Sequence, residues 1–192
     1  MITAWRITKT VHAGRAFDGE GARIAGGRWT SPGLPLVYTA ENAALAALEV
    51  LVHFDVSARP AYVLIPCAFP SDIVLRLDRR RLPGRWRAYP APAALQQLGD
   101  AWVRSGASAV LEVPSVVIDI QSNFLLNPAH RDFSNVTVGK PVPFDFDPRL
   151  LKVKARSLPG SSLYSLVRLR RSRSRSNSRF SASSWSSSSP SS

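Results

Sequence analysis

The sequence changes composition abruptly near residue 151, and this break decides how much of the chain can form a hydrophobic core. Residues 152–192 are rich in serine and arginine and end in an almost pure serine run. Such a segment buries too little apolar area to offset the entropy of ordering its backbone, which costs about 1–2 kcal/mol per residue. We therefore expect one folded domain over residues 1–151 and a disordered tail over residues 152–192.

The positive charge of the chain follows the same division. The formal net charge is +12, yet nine of the 25 Lys and Arg residues and none of the 13 Asp and Glu residues lie in the tail. The folded part is nearly balanced, with 16 basic against 13 acidic residues. The sequence therefore does not indicate nucleic-acid binding by the domain itself. The tail is either an arm for nonspecific contact with RNA or anionic surfaces, or an incidental extension.

Several classes of protein are not indicated. No apolar run approaches the roughly 18 residues that suggest a membrane span, and the N-terminus lacks the layout of a signal peptide, so we expect a cytoplasmic protein without membrane contact. Cys67 is the single cysteine, which excludes an internal disulfide. The three histidines have no spacing typical of a metal site, so we expect chemistry without a metal.

Residues 1–151 mix short strands with two principal helices, which predicts the α+β class. A helix is expected over Glu41–Phe54, with Thr39 as its N-cap and Glu41 in its first turn. A second is expected over Pro92–Ser105, with Gly106 just beyond its end. A Gly-rich loop separates the first two of the expected strands, which are Trp5–Ile7, Leu36–Tyr38, Ala61–Ile65, Ile73–Leu77, Ala109–Val113 and Val116–Ile120.

Glu49 is the unusual residue of the first predicted helix, because alanine and aliphatic side chains surround it in the sequence. One interpretation is a solvated residue paired with His53, four positions later. The other is a carboxylate that lines a site and stabilises positive charge on a sugar carbon while a glycosidic bond breaks.

Other candidate ligand-binding residues lie at strand ends and beside glycines. Arg6 lies in the first predicted strand, and Arg28 follows Gly26 and Gly27, whose backbone can approach a ligand closely. Two arginines near such backbone suit a pyrophosphate, although each is also compatible with a plain surface position. Tyr38 could stack on a flat ring or form part of the core.

Two polar positions follow later strands. Ser115 comes after Pro114, and Asn123 precedes the Asn127–Pro128 pair. Serine and asparagine are also the usual residues of turns and caps, so the residue types alone do not separate a site from a turn.

The order of these motifs resembles the RES domain family, named for its arginine, glutamate and serine. The resemblance covers about residues 3–150 and rests on the segments Arg6-Ile7, Gly26-Gly27-Arg28-Trp29, Tyr38, Ala47-Leu48-Glu49, Val113-Pro114-Ser115 and Asn123–Pro128. It implies an ADP-ribosyltransferase-like fold of short strands with a few helices. It also implies the toxin of a toxin–antitoxin pair, with an Xre-like antitoxin protein as partner and NAD as the substrate.

The resemblance also implies a role for each residue. Arg6 and Arg28 match the arginines that hold the NAD phosphates, and Arg6 is also expected to act in catalysis. Tyr38 matches the tyrosine beside the nicotinamide ribose. Glu49 matches the catalytic acid. Ser115 matches the serine, which is expected to act in catalysis and on the substrate, and Asn123 is a weaker match for a binding residue. Ser122 is a competing candidate for the serine, but it lacks the Val-Pro context of Ser115.

Three functions remain open at this point. The resemblance implies NAD consumption by hydrolysis or phosphorolysis of the nicotinamide–ribose bond. A mono-ADP-ribosyltransferase that modifies one cellular protein would use the same residues. A noncatalytic RNA-binding protein would depend on the basic tail instead.

Overall fold

A computed structural model describes residues 1–54 and 60–151. The expected disordered tail lies outside the described residues, and that expectation stays a prediction. Among the described residues, none of the helices has the length and apolar character that a membrane crossing requires.

The domain contains eight strands and three α-helices within the described ranges, joined by short 3₁₀ turns. The strands are β1 (Ile2–Lys9), β2 (Val37–Ala40), β3 (Tyr62–Phe69), β4 (Val74–Arg76), β5 (Val110–Pro114), β6 (Ser122–Leu126), β7 (Thr137–Val138) and β8 (Val142–Phe144). The helices are α1 (Glu20–Ala25), α2 (Ala43–Leu51) and α3 (Ala93–Ser105).

All eight strands belong to one mixed sheet with the order β4-β5-β6-β2-β1-β3-β7, and β8 also pairs with β3. Only the β4–β5 pair is parallel among the described strands. Strands β1 and β3 are in register over eight residue pairs, whereas β1 meets β2 at the single pair Trp5–Ala40. The sheet is therefore weakly joined at its centre, and the functional cleft described below opens at this junction.

Hydrophobic clusters hold helices α2 and α3 against the sheet. Helix α3 packs Leu95 and Trp102 against Trp29, Leu111 and Leu125, among other residues of one cluster. Each such fully buried large side chain stabilises the fold by about 1.5–3 kcal/mol. Helix α2 packs Leu45 and Ala46 in a separate cluster with Ile7 and Ala40. The packing thus holds α2 over the β1–β2 junction.

The predicted start of the first helix is wrong. Helix α2 begins at Ala43, and its N-cap is Asn42, whose side chain accepts a hydrogen bond from the Leu45 amide at 2.8 Å. Thr39 lies in β2 instead, where its hydroxyl donates to the Phe124 carbonyl. Glu41 precedes the helix, and its carboxylate accepts from the Ser122 amide.

The predicted strand over Val116–Ile120 is also wrong. These residues form the connection of the β5–β6 hairpin, and the strand begins only at Ser122. The reason is Ser115, whose hydroxyl accepts hydrogen bonds from the amides of Val117 and Ile118, both at 3.1 Å. This serine turn bends the backbone away from extended geometry, and it overrides the β-propensity of the aliphatic residues.

Candidate functional site

A cleft of about 750 Å³ lies where the sheet is weakly joined. Its walls come from β1, β2, α2, the loop around Gly27, the segment before α3, and the β5–β6 connection with the start of β6. The lining residues are Trp5, Arg6, Ile7, Gly26, Gly27, Arg28, Trp29, Tyr38, Thr39, Ala40, Ala46, Glu49, Val50, Val52, His53, Arg87, Tyr89, Pro114, Val116, Val117 and Asn123. This volume is in the range of pockets that bind small molecules and cofactors.

Glu49 extends from α2 into this cleft, and its carboxylate is held at one oxygen. Oε1 accepts hydrogen bonds from Ser115 Oγ at 2.8 Å and from Asn123 Nδ2 at 2.7 Å. Within the described residues, Oε2 accepts no hydrogen bond. The structure therefore favours the lining-carboxylate interpretation of Glu49 over the pairing with His53.

Ser115 holds the Glu49 carboxylate by a hydrogen bond from outside the cleft. Its side chain is fully buried and does not line the cleft. The hydroxyl is fixed by the two turn amides that it accepts from, which leaves its hydrogen directed to Glu49. The competing candidate, Ser122, donates to Glu112 instead. The expected direct contact of Ser115 with a substrate stays a prediction, and the geometry favours a positioning role.

The orientation of the Asn123 amide follows from the same carboxylate. A carboxylate only accepts hydrogen bonds, so the NH₂ group and not the carbonyl of Asn123 must face Glu49. The carbonyl Oδ1 is buried and has no hydrogen-bond partner among residues 1–54 and 60–151. Asn123 thus lines the cleft with a fixed amide, and its expected contact with a ligand stays a prediction.

Arg6 lies at the floor of the cleft, beside the β1–β2 junction. Its Nη1 donates to the Tyr38 carbonyl at 2.8 Å, where the two strands have separated, and its buried Nε has no partner in the described part of the chain. Burial lowers the pKa of Arg6, while nearby Asp18 and Cys67 oppose that shift. The site therefore holds a poorly solvated cation, an arrangement that an anionic ligand would stabilise.

Arg28 is held by backbone carbonyls on the other side of the cleft. Nη1 donates to Trp86 O at 2.9 Å and to Ala88 O at 3.3 Å, and Nη2 also donates to Ala88 O at 3.3 Å. A guanidinium has five N–H groups, so the Nε hydrogen and the second Nη2 hydrogen, which lie on one edge, have no acceptor among residues 1–54 and 60–151. That edge is a fork that fits two oxygens of a phosphate. Partial burial lowers the pKa of Arg28, and Glu49 opposes the shift.

Helix α3 fixes the loop that carries Arg28. Gln96 donates to the Gly27 carbonyl at 2.9 Å, and the buried Asp100 accepts from the Ser31 amide at 2.9 Å. Gly99 allows this approach, because a Cβ at that position would overlap the carbonyl oxygen of Trp29. The sequence analysis missed this support. Asp100 was the available signal, since it is the single acid of the predicted helix.

Tyr38 closes the side of the cleft next to this loop. Its hydroxyl accepts from the Trp29 amide at 3.2 Å, and any Cβ at Gly27 would overlap that hydroxyl. Gly27 is thus required for the close contact between the loop and β2. Burial raises the pKa of Tyr38, so the phenol keeps its proton at neutral pH.

The structure brings five of the six predicted site residues to one cleft, and it places Ser115 directly behind Glu49. The sequence analysis missed Arg87 and Tyr89, which also line this cleft, and it considered His53 only as a partner of Glu49. Arg87 and Tyr89 had no distinctive local signal in the sequence. In the part of the chain that the structure describes, no group of three or more His, Cys, Asp or Glu residues could hold a metal ion.

Known proteins match this chain over most of its length. The family model described as RES domain matches residues 3–147. A protein named Toxin Res from Yersinia enterocolitica is 35% identical over 148 residues, which are 76% of this chain and 97% of the relative. A protein named Prs ADP-ribosylating toxin from Sphingobium sp. is 34% identical over 154 residues, which are 77% of this chain and 96% of the relative.

One solved structure extends the comparison to the fold. It is the crystal structure of the M. tuberculosis MbcT–MbcA toxin–antitoxin complex, of which one chain matches with a TM-score of 0.61 and 21% identity. The match covers 78% of this chain and 86% of that chain. The expected α+β fold of the ADP-ribosyltransferase-like type is confirmed.

Proposed function

Since this chain belongs to the RES domain family, we propose that it is the toxin of a toxin–antitoxin pair and that it consumes NAD by cleaving the bond between nicotinamide and ribose. The observation that carries the proposal is the carboxylate of Glu49, which two neutral donors hold at Oε1 and which lines a cleft together with Arg6 and Arg28. The relatives named Toxin Res support the toxin assignment.

The arginines bind and orient the substrate in this proposal. Arg28 offers its free fork to one phosphate, and Arg6 supplies positive charge at the cleft floor. Binding energy from the pyrophosphate, which is remote from the reacting bond, orients the ribose against Glu49. Tyr38 remains a neutral phenol at the wall and can donate a hydrogen bond to the nucleotide.

Glu49 then stabilises the charge that develops during cleavage. The C–N bond breaks and its electron pair stays with nicotinamide, which leaves as a neutral ring. The ribose carbon becomes positively charged, and the anionic Oε2 stabilises it. Water or phosphate adds its oxygen to that carbon and releases a proton to solvent. Loss of one preorganised electrostatic group of this kind commonly lowers the rate by about 10²–10³.

The test is to incubate the purified full chain with NAD, with and without inorganic phosphate, and to separate the products. Free nicotinamide with ADP-ribose would indicate hydrolysis, and ADP-ribose 1-phosphate would indicate phosphorolysis. Glu49→Gln should abolish nicotinamide release. Glu41→Gln is the matched control, because Glu41 lies outside the cleft and should tolerate the change. Equal turnover by wild type and Glu49→Gln would contradict the proposed role of Glu49.

A second candidate function is transfer of ADP-ribose to a protein. The relative named Prs ADP-ribosylating toxin favours it, and the chemistry at Glu49 would be the same with a protein nucleophile as acceptor. Labelled NAD added to a cell lysate distinguishes the two functions. One labelled protein band that depends on Glu49 would indicate transfer, and label found only in small molecules would indicate NAD consumption.

An antitoxin partner belongs to the same proposal. We infer an Xre-like antitoxin, and the fold shared with a chain of the toxin–antitoxin complex supports a partner of this kind. Co-expression with the product of a neighbouring gene that encodes a helix-turn-helix protein should restore growth.

A further inference from the structure

A dense group of arginines lies beside the mouth of the cleft. Six arginines occur between residues 76 and 87, and Asp78 is the single acid of that stretch. We define the arginine rim as the segment 79–89, which carries the side chains Arg79, Arg80, Arg81, Arg85, Trp86, Arg87 and Tyr89. Two of these residues, Arg87 and Tyr89, also line the cleft. The rim is therefore continuous with the mouth of the proposed active site.

The rim is ordered by contacts to its neighbours. Arg79 and Arg87 both form ion pairs with Asp119, and both lie about 6 Å from the centre of the Trp86 ring, at 5.9 and 6.0 Å. Arg87 also donates to the Val116 carbonyl at 3.2 Å. From below, Arg28 holds the carbonyls of residues 86 and 88. A partner that binds here would lose little energy in ordering the segment.

Part of the rim charge is not compensated. Arg80 pairs with Asp78 of its own turn. Arg81 and Arg85 are exposed and form no ion pair with any residue of the described ranges. Tyr89 is 83% exposed, which is high for an aromatic residue. Arginine, tryptophan and tyrosine are the residue types that contribute most to protein–protein binding energy.

The interspersed acids decide which anion fits. Asp78 and Asp119 form ion pairs with rim arginines and would repel a continuous phosphate backbone, whereas nucleic-acid sites need closely spaced cations along the strand. Carboxylates are already the partners of Arg79, Arg80 and Arg87. Separate carboxylates on a protein segment can alternate with these acids and pair with Arg81 and Arg85.

We propose that the arginine rim is a docking surface for an acidic segment of a partner protein, which crosses the mouth of the cleft at Arg87 and Tyr89. Carboxylates of the segment pair with Arg81 and Arg85, and an apolar residue packs on Tyr89. Bound in this way, the segment obstructs entry of a small molecule into the cleft.

The test uses fluorescence anisotropy of the full chain with two labelled probes, an oligoglutamate peptide and a single-stranded DNA of the same charge. The rim variant is Arg81→Glu/Arg85→Glu. The matched control is Arg131→Glu/Lys140→Glu, which changes the charge equally at exposed positions. Lys140 follows β7 at the opposite edge of the sheet from β4, which precedes the rim. The basic tail is present in all variants, so a difference between them reports on the substituted positions.

We expect peptide affinity to fall about tenfold in the rim variant and less than about twofold in the control. Tyr89→Ala, which changes no charge, should lower the affinity about threefold. Equal losses in the two charge variants would overturn the proposal. A larger loss of DNA than of peptide would overturn it in favour of a nucleic-acid surface. Thermal melting of each variant verifies that it folds.

A second measurement tests the position of the segment across the mouth. Peptide at the concentration that half-saturates the wild type should slow nicotinamide release by the wild type and have little effect on the rim variant. Peptide that binds the rim without changing NAD turnover would overturn the crossing of the cleft. If the wild type released no nicotinamide at all, the proposed function would fail. The anisotropy measurement would still show whether the arginine rim binds an acidic segment.

Discussion

The substitution Ser115→Ala separates a positioning role from direct contact with substrate. Ser115 Oγ donates one hydrogen bond to Glu49 Oε1 at 2.8 Å and accepts two from backbone amides at 3.1 Å. Alanine removes all three bonds without changing the shape of the cleft, because the side chain does not line it. Glu49 then keeps only the bond from Asn123 and gains freedom to rotate.

The size of the effect follows from these bonds. A hydrogen bond to a charged group contributes about 1.5–3 kcal/mol. Since about 1.4 kcal/mol corresponds to tenfold in rate, kcat for nicotinamide release should fall by about 10- to 100-fold. KM should change little, because the phosphate-binding arginines are untouched. The substitution also leaves two turn amides without their acceptor, which should lower the free energy of unfolding by about 1–3 kcal/mol.

The assay is steady-state NAD turnover well below the melting temperature, with Ser108→Ala as the matched control. Ser108 is also buried, and its hydroxyl accepts from Trp102 Nε1 at 2.9 Å and donates to the Val110 carbonyl at 2.8 Å, in bonds that do not involve Glu49. It should lose stability but keep its kcat. The reasoning would be refuted if Ser115→Ala kept wild-type kcat, or if both variants lost kcat in proportion to their stability.

Three further predictions follow from the geometry. Arg28→Lys should raise KM for NAD about tenfold or more, because an ammonium cannot hold the two carbonyls and also present a planar fork to a phosphate; an unchanged KM would contradict the phosphate-binding role. Gly99→Ala should lower the free energy of unfolding by about 1–3 kcal/mol in denaturant titration, because its methyl group overlaps the Trp29 carbonyl, and a neutral effect would contradict this packing. Burial raises the pKa of the Cys67 thiol from 9.0 to about 12, so the thiol ionises in the unfolded chain at a lower pH than in the folded protein. The free energy of unfolding should therefore fall as the pH rises from 9 to 12. Cys67→Ala should weaken this pH dependence, and an equal slope in both proteins would contradict the assigned burial of the thiol.

The sequence predicted those parts of the fold that depend on local pattern. Helix α3 occupies the expected span, and its C-cap, Gly106, has the left-handed backbone with φ of 57°. The expected positions of β1–β5 were correct to within a few residues, except that β1 and β3 are longer. The start of α2 and the strand over Val116–Ile120 were wrong, because tertiary contacts of Thr39 and a side-chain turn at Ser115 overrode local propensity.

The candidate site was accessible from sequence only as a set of residues. Glu49 was identified because a lone acid in an apolar helix needs an explanation. Its bonds to Ser115 and Asn123 join residues 66 and 74 positions apart, so no local pattern contains them. The same applies to Arg28 and the carbonyls of residues 86 and 88. Such contacts depend on which strands become neighbours, and one sequence alone does not determine that.

The proposal that Glu49 drives NAD consumption is best examined by measuring intracellular NAD after brief induction of the wild type and of Glu49→Gln, each with residues 157–192 present or deleted. We expect a rapid fall in NAD that requires Glu49 and is independent of the tail, with Glu41→Gln behaving as the wild type. Stable NAD during growth arrest by the wild type would contradict it, and so would an equal fall of NAD with Glu49→Gln.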